Sequence, residues 1–234
     1  MKPLGRKAYG SIGHLPNSRL GPGDHCVTLG QAKICTIKAR DKHDSVIVQQ
    51  KYDGSCCAVA LLDGKILPLT RAGYLATTSP FVQHHYFDHW VWHNEVRFRA
   101  VLQEGERLVG EWLALAHGTR YEINGQVEPF VAFDIMHADQ RVIFREFSER
   151  VAGGGERPFQ TPQVVHIGPI PVEKAMENVS NPWCRDAVEG IVYRVERNGQ
   201  MDFLAKWVRP DKVDGCFLPE VSGREPIWNW QPQP

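Results

Sequence analysis

The sequence predicts an α+β domain built mainly on antiparallel β-sheets. Short apolar segments recur along the chain, and two of the connections between them are Asp63-Gly64 and Asn198-Gly199. These pairs are typical of tight β-hairpins, because both residues of each pair tolerate positive φ. A longer segment, 81–103, has helical periodicity and is aromatic on one side. Hairpins indicate antiparallel strands, and helices placed between groups of strands favour the α+β class.

The elements follow in chain order from these patterns. Residues 1–45 are rich in glycine, proline and polar residues, so we expect an irregular arm packed on the domain. The strands are predicted at 46–51, 56–62, 65–70, 108–115, 130–136, 163–167, 190–196 and 201–208. The helices are predicted at 81–103, 144–151 and 172–179, the first of them with Ser79 as N-cap and Pro80 as its first residue.

Three regions are therefore expected: an arm at 1–45, a domain at 46–210 and a tail at 211–234. The tail is rich in proline and tryptophan, and we expect Trp228 and Trp230 to dock it on the domain. No separate C-terminal domain and no internal repeat is evident in the pattern.

Composition limits the classes of function. The 234 residues carry 27 basic and 27 acidic side chains, so the formal net charge is zero. A protein that holds nucleic acid by bulk charge is basic, so any nucleic-acid site here must be a local positive groove. No apolar stretch approaches the ~20 residues of a membrane span, and the N-terminus lacks the apolar core of a signal peptide. We expect a cytoplasmic protein with no membrane partner.

The six cysteines include no C-x-x-C pair, which excludes the common spacing of zinc sites. Reduced thiols are expected in a cytoplasmic protein. Cys56 and Cys57 are adjacent in a predicted strand, so their side chains should point to opposite faces.

The segment Lys51-Tyr52-Asp53-Gly54 is the first candidate for chemistry. A lysine ends a buried strand and is followed at once by a turn, so the strand fixes where the side chain emerges. A lysine amine is nucleophilic only when neutral, and we expect partial burial or a nearby cation to lower its pKa. Alone, K-x-D-G is weak, since a surface lysine before a β-turn gives the same pattern.

Further polar and aromatic side chains recur in the later strands. They are Arg71, Glu111, Phe133, Glu189 and Lys206. Lysines and an arginine neutralise phosphates, carboxylates hold a metal ion and ribose hydroxyls, and an aromatic face stacks on a base. Together these are the groups that transfer of AMP requires.

In order, the segments K-Y-D-G, T-R-A-G-Y, G-E-W, F-D-I, E-G-I-V-Y-R and A-K-W-V-R resemble the six motifs of the covalent nucleotidyltransferases, which comprise ATP-dependent ligases and mRNA capping enzymes. The resemblance runs from Lys51 to Arg209. Within this superfamily the chain looks most like ATP-dependent RNA ligases of the phage and RNA-editing type. The segment from Tyr9 to Leu15, with Ser18-Arg19, is also similar to bacterial members. The resemblance implies an ATP-grasp-like nucleotidyltransferase domain of two antiparallel sheets flanked by helices, with the nucleotide cleft between them.

The resemblance also implies a role for each matching residue. Lys51 would attack the α-phosphate of ATP and hold AMP, and Lys206 would contact that phosphate and help to expel pyrophosphate. Arg71 would contact phosphate or ribose, Glu111 the ribose hydroxyl, and Phe133 the adenine ring. Glu189 would hold the metal ion, Mg²⁺ or Mn²⁺, and Asp53 would order the loop and help to place metal or nucleic acid. The implied partner is RNA, with a nicked duplex or an RNA/DNA hybrid as candidate forms.

Two features depart from the family pattern. Gln49 and Gln50 precede Lys51 where a glutamate is usual, and a glutamine can still bond the edge of a base. Leu204 and Val208 flank Lys206 where a second lysine is common, so one phosphate contact is either lost or supplied by Arg209.

The sequence is also compatible with three other functions. A capping-type enzyme would use GTP in place of ATP, and a non-catalytic protein with this fold would bind nucleic-acid ends without joining them. A third alternative is a domain that accepts AMP but needs a partner protein for end joining.

His85, His89 and His93 recur at every fourth residue of the predicted helix, with His84 adjacent. That spacing places imidazoles on one face. No carboxylate or cysteine completes a metal site in the sequence, so a polar or nucleic-acid-facing surface is the favoured interpretation.

Overall fold

The structure, a computed structural model, describes residues 1–123, 127–155 and 157–232. In chain order the longer elements are β1 (Gly13–His14), α1 (Leu29–Thr36), β2 (Asp44–Lys51), β3 (Ser55–Leu62), β4 (Lys65–Thr70), α2 (Val82–His93), α3 (Glu95–Val101), β5 (Glu106–Trp112), β6 (Phe130–His137), β7 (Gln140–Arg141), α4 (Phe144–Ala152), β8 (Val164–Ile167), α5 (Val172–Glu177), β9 (Gly190–Arg197), β10 (Gln200–Val208) and α6 (Pro219–Ser222). A short 3-10 helix covers Ala76–Thr78.

The strands form two five-stranded sheets, which confirms the predicted fold class. The first sheet has the order β1-β10-β9-β2-β8 and the second the order β4-β3-β5-β6-β7. All pairings are antiparallel except that of β1 with β10. Both predicted hairpin turns are confirmed: Asp63 and Gly64, and likewise Asn198 and Gly199, have positive φ.

Three of the apolar clusters among the described residues hold the layers together. One packs α1 and α5 on the outer face of the first sheet, with Val48 and Tyr193 buried there. A second packs α2, α3 and α4 on the outer face of the second sheet around Trp112 and Phe130. A third, which includes Ala58 and Val109, lies between the two sheets and includes residues of the N-terminal arm. Strand alternation leaves the opposite face of β2 free to line a cleft between the sheets.

Cys56 and Cys57 show this alternation directly. Cys57 is buried in the cluster under α2, whereas Cys56 lines the cleft. The prediction of opposite faces is confirmed, and all six cysteines are free thiols.

The predicted helix 81–103 is wrong as one helix. Asn94 separates α2 from α3, and its side-chain amide donates to the carbonyl of Trp90 at 2.8 Å. Such a bond competes with the helical backbone. The predicted N-cap is also wrong: α2 begins at Val82, and the Ser79 hydroxyl instead bonds the ring of His84 at 2.6 Å.

The N-terminal arm is more regular than predicted, because it contains β1 and α1. Thr28 and Gln31 form a capping box, in which the Thr28 hydroxyl accepts from the Gln31 amide at 3.2 Å and the Gln31 side chain accepts from the Thr28 amide at 3.0 Å. The arm reaches the domain through the parallel pairing of Gly13 and His14 with Ala205 and Lys206.

The tail packs on the domain as predicted. Trp228 pairs with Leu115 through a β-bridge and stacks against Tyr86, and Trp230 meets the ring of Trp112 edge-on at 5.4 Å. Residues 233 and 234 of the predicted tail lie outside the described residues. Among the described residues, no helix combines the length and apolar character that crossing a bilayer requires.

Candidate active site

Lys51 is the last residue of β2, and its side chain is 20% exposed. Its ammonium donates to Oε2 of Glu189 at 2.6 Å and to the carbonyl of Tyr52 at 3.2 Å. The register of β2 on β9 explains the contact, because Lys51 lies opposite Gly190, the residue after Glu189. Only glycine fits at 190, since a Cβ there would lie 1.9 Å from the carbonyl oxygen of Trp207.

The charge environment of Lys51 differs from the expected one. Burial lowers the pKa of Lys51, but the carboxylates of Glu189, Glu111 and Asp53 outweigh burial and hold this pKa above its ordinary value. The expectation of a lowered pKa is therefore wrong. Three acids converge on the amine, so a proton must leave it before it can act as a nucleophile.

Glu189 is shared between two lysines. Its Oε1 accepts from the ammonium of Lys212 at 2.5 Å, while its Oε2 accepts from Lys51. The same Lys212 ammonium lies 2.9 Å from Oδ1 of Asp53. Lys212 is only 5% exposed, and no motif in the sequence pointed to it.

Asp53 is held in the loop after Lys51 by two hydrogen bonds. Its backbone amide donates to the Tyr121 hydroxyl at 2.9 Å, and its Oδ2 accepts from the amide of Gly118 at 2.9 Å. These bonds join the loop to the segment after β5. Neither Asp53 nor Glu189 lines the cleft itself; both are connected to it through Lys51.

Glu111 accepts from the amide of Gly54 at 3.2 Å, close to the Lys51 ammonium. Burial raises the pKa of Glu111 to about 7; the Lys51 charge opposes this rise, and the Glu189 and Asp53 carboxylates add to it. A carboxyl group with a pKa this close to neutrality is a common feature of functional clefts.

The cleft between the sheets has a volume of about 160 Å³. Seven of the predicted site residues line it: Gln49, Gln50, Lys51, Arg71, Glu111, Phe133 and Lys206. The structure thus brings together, in one cavity, side chains from strands that are distant in the sequence. Tyr9 of the arm also lines it and meets the ring of Phe133 edge-on at 5.2 Å.

Two amides and a guanidinium provide polar contacts in the cleft. Nε2 of Gln49, and Nε2 and Oε1 of Gln50, are buried and have no hydrogen-bond partner among the described residues. Buried amides without partners are costly, and a ligand in the cleft can satisfy them. The Arg71 guanidinium is exposed and donates to the carbonyl of Gly10 at 3.3 Å.

Lys206 enters the cleft from β10, and the arm contacts it. Its ammonium lies 3.7 Å from Oδ1 of Asp24, and Oδ2 of Asp24 lies 3.0 Å from Nε2 of His14. Burial lowers the pKa of Lys206, and the Lys51 charge adds to the fall. Arg209 does not line the cleft, because it pairs with Asp211 at 2.6 Å. The idea that Arg209 replaces a missing lysine is therefore not supported by its position.

The histidines of α2 do not act as one group. His84 is buried between the hydroxyls of Ser55 and Ser79, at 2.9 and 2.6 Å. His89 and His93 stack with ring centroids 4.2 Å apart on the exposed side. Within the part of the chain that the structure describes, no three His, Cys, Asp or Glu side chains are grouped to hold a metal ion by themselves.

The RNA ligase family model matches residues 44–208, which is more than half of the chain. No curated protein matches the chain significantly.

The fold is similar to that of solved structures of the RNA ligase of Naegleria gruberi. One variant solved with ATP and manganese has a TM-score of 0.53 at 17% identity, covering 93% of this chain and 64% of that one. Another with ATP and manganese has a TM-score of 0.51 at 18% identity, covering 71% and 50%. An archaeal ATP-dependent RNA ligase has a TM-score of 0.46 at 16% identity, covering 70% and 42%. The chain thus spans about half the length of the solved structures that it matches first. By the family match, the chain belongs to the RNA ligase family.

Proposed function

We propose that this protein is an ATP-dependent RNA ligase that joins 5′-phosphate and 3′-hydroxyl ends through a covalent AMP adduct on Lys51. The observation that carries the proposal is the position of Lys51. Its amine lies in one cleft with Phe133, Lys206 and Arg71, and it contacts Glu189 directly. A nucleophile, cations for phosphates and an aromatic ring for the base are the parts that nucleotidyl transfer needs.

In the first step Lys51 gives up a proton and its nitrogen attacks the α-phosphorus of ATP. A P–N bond forms, and the bond from the α-phosphorus to the bridging oxygen breaks, so that pyrophosphate leaves with the electron pair. Lys206 lines the same cleft and would neutralise charge on the phosphates. Phe133 offers a ring to the base, and Gln49 and Gln50 offer unpartnered amides to its edge.

In the second step a 5′-phosphate oxygen of RNA attacks the phosphorus of the adduct. The P–N bond breaks, its electron pair returns to the Lys51 nitrogen, and that nitrogen takes up a proton from solvent. In the third step a 3′-hydroxyl loses its proton and attacks the activated 5′-phosphate, with AMP as the leaving group. The match to the RNA ligase family supports RNA as the substrate. Nicked duplex and RNA/DNA hybrid are the candidate forms of the ends, and the cytoplasm is the proposed location.

A divalent metal ion would reach the Glu189 carboxylate only in place of an ammonium, since Lys51 and Lys212 each hold one of its oxygens. Glu189 supplies a buried carboxylate, and Mg²⁺ is commonly held by one or two carboxylates together with substrate phosphates. This agrees with the absence, among the described residues, of a site made from three protein ligands. Glu189 would hold Mg²⁺ or Mn²⁺, which would neutralise charge on the phosphates.

The proposal is tested by incubating the purified protein with ATP and Mg²⁺ and measuring its mass. We expect a gain of one AMP that pyrophosphate removes, and a much smaller gain with GTP. Lys51→Ala should abolish the gain while the protein stays folded, since Glu189 keeps its contact with Lys212. An unmodified wild type, or a modified Lys51→Ala variant, would contradict the proposal.

The joining activity needs a separate assay with 5′-phosphorylated nicked RNA, an RNA/DNA hybrid and DNA as substrates. We expect joining of the RNA substrate. A protein that accepts AMP but joins no ends would correspond to a domain that needs a partner protein. A protein that binds ends without accepting AMP would correspond to a non-catalytic family member.

A further inference from the structure

Lys212 is a buried cation beside the candidate active site, outside all of the sequence motifs. It follows β10 in a turn in which its amide donates to the carbonyl of Arg209 at 3.2 Å. The amide of Arg209 in turn donates to the carbonyl of Glu189 at 3.0 Å. The backbone of this turn is therefore tied to the residue whose side chain Lys212 contacts.

Three carboxylates lie near the Lys212 ammonium. Its ammonium lies 2.5 Å from Glu189, 2.9 Å from Asp53 and 3.6 Å from Asp214. An ammonium this deeply buried is costly unless it is paired. Glu189 and Asp53 provide the pairing, so removal of Lys212 would leave two buried carboxylates without this partner.

The stem of Lys212 has little freedom to move. A Cβ at Gly118 would lie 3.2 Å from Cε of Lys212 and 2.8 Å from Oδ2 of Asp53. Glycine at 118 therefore lets the backbone pass close to both side chains. The packing holds the ammonium at one place between the two carboxylates.

This place matters because of what the proposed reaction does to Lys51. Before reaction Glu189 has two cationic partners, one at each oxygen. When the Lys51 nitrogen becomes part of a P–N bond, it is no longer an ammonium and Oε2 loses that partner. Oε1 keeps Lys212, so Glu189 is never a buried carboxylate without a protein cation.

We propose that Lys212 is a positioning residue for transfer of AMP to Lys51: it fixes Glu189 and Asp53 and stays as their cation while the Lys51 charge is lost. The inference rests on the function proposed above. Lys212 does not line the cleft, so it acts through Glu189 and Asp53 and not through contact with the nucleotide.

The test compares Lys212→Gln and Lys212→Met with Lys212→Arg, which keeps a positive charge. Lys174→Gln is the matched control, because Lys174 is exposed and pairs with Glu177 on α5. Three quantities are measured for each protein: the melting temperature, the dissociation constant of ATP, and the single-turnover rate of AMP transfer to Lys51 at saturating ATP.

We expect the two uncharged variants to fold, to bind ATP within about threefold of wild type, and to accept AMP about 10- to 100-fold more slowly, since a small displacement of reacting groups costs this much. Lys212→Arg should recover most of the rate, and Lys174→Gln should match wild type. A purely structural residue would instead lower the melting temperature and leave the rate per folded molecule unchanged.

Folded Lys212→Gln that accepts AMP at the wild-type rate would overturn the inference. So would failure of both uncharged variants to fold, because Lys212 would then be required for structure alone. If wild type itself accepts no AMP in this assay, the proposed function fails and not only the role of Lys212.

Discussion

Charges of alternating sign run through Asp53, Lys212, Glu189 and Lys51, with adjacent members 2.9, 2.5 and 2.6 Å apart. The cost of burying such charges nearly cancels their mutual attraction. We therefore expect the series to contribute little net stability and to serve mainly by fixing where each group lies. The Lys51 amine is the only one of the four that lines the cleft.

Glu111, which lies close to the Lys51 ammonium, makes the folding stability of the protein depend on pH. Its pKa is about 7 in the folded protein, because of burial, against an ordinary value of 4.5. Between these values the folded state keeps a proton that the unfolded chain has lost. The contribution of Glu111 to stability is therefore complete below pH 4.5 and falls as the pH rises through 7.

We predict that wild type loses about 1–3 kcal/mol relative to Glu111→Gln between pH 4.5 and pH 8. The measurement is the free energy of unfolding in urea for both proteins across this range. The glutamine keeps the size and an acceptor for the Gly54 amide but does not titrate. A difference between the two proteins that is constant with pH would refute the prediction.

The residues of the cleft can be predicted from the sequence, but not all of their partners can. Lys51 was recognisable because a strand end, an aspartate and a glycine are adjacent in the sequence. Lys212 was not, because its significance depends on a turn that returns to Glu189, which no local pattern encodes. The raised pKa of Lys51 was missed for the same reason: it depends on Glu189 and Glu111, which come from other strands.

At the scale of elements, local sequence patterns predict the tight turns correctly, because few residue pairs can form them. They fail to predict helix bounds where a side chain competes for the hydrogen bonds of the backbone. Asp63-Gly64 formed the expected turn because few other pairs accept positive φ at both positions. Asn94 divided the predicted helix through its own side-chain bond. Helix α1 was hidden within a polar, glycine-containing arm, although its capping residues Thr28 and Gln31 were a usable signal.

The start of α2 contains a buried histidine, His84, that makes the stability of the folded protein fall at acid pH. Burial lowers the pKa of His84 to about 4, with His117 and His85 adding to the fall. In the unfolded chain the ordinary value is 6.5, so the unfolded state binds a proton first as the pH falls. The contribution of His84 is therefore complete above pH 6.5 and falls as the pH drops toward 4.

We predict that wild type loses about 2 kcal/mol relative to His84→Gln between pH 7.5 and pH 5. The measurement is urea unfolding followed by far-ultraviolet circular dichroism. His93→Gln, which changes an exposed histidine of the same helix, is the control variant. Equal pH dependence in His84→Gln and wild type would contradict the prediction.

At the scale of the whole molecule, the two sheets are connected beneath the cleft by buried charges as well as by apolar contacts. Asp134 of β6 accepts from Arg194 of β9 at 3.0 Å and from Arg141 of β7 at 2.8 Å. The Tyr9 hydroxyl donates to the same carboxylate at 3.3 Å, so the arm joins the network. The family resemblance predicts two sheets with a cleft between them. The pattern of apolar and polar residues, however, does not show which charged side chains pair from one sheet to the other. Asp134 and Arg194 each read alone as an ordinary strand residue.

Because of this connection, we predict that substituting two aspartates, both paired with arginine, will lower the free energy of unfolding by very different amounts. Asp134→Asn leaves the buried Arg194 without its full partner, and we expect it to lower the free energy of unfolding by about 3–5 kcal/mol. Asp139→Asn breaks the exposed pair with Arg6 and should cost less than about 1 kcal/mol. Urea unfolding at pH 7, followed by tryptophan fluorescence, measures both.

The double variant Asp134→Asn/Arg194→Met removes both charges of the cross-sheet pair, so it should be less destabilised than Asp134→Asn. A loss below 1 kcal/mol for Asp134→Asn would mean that apolar packing alone holds the two sheets around the cleft.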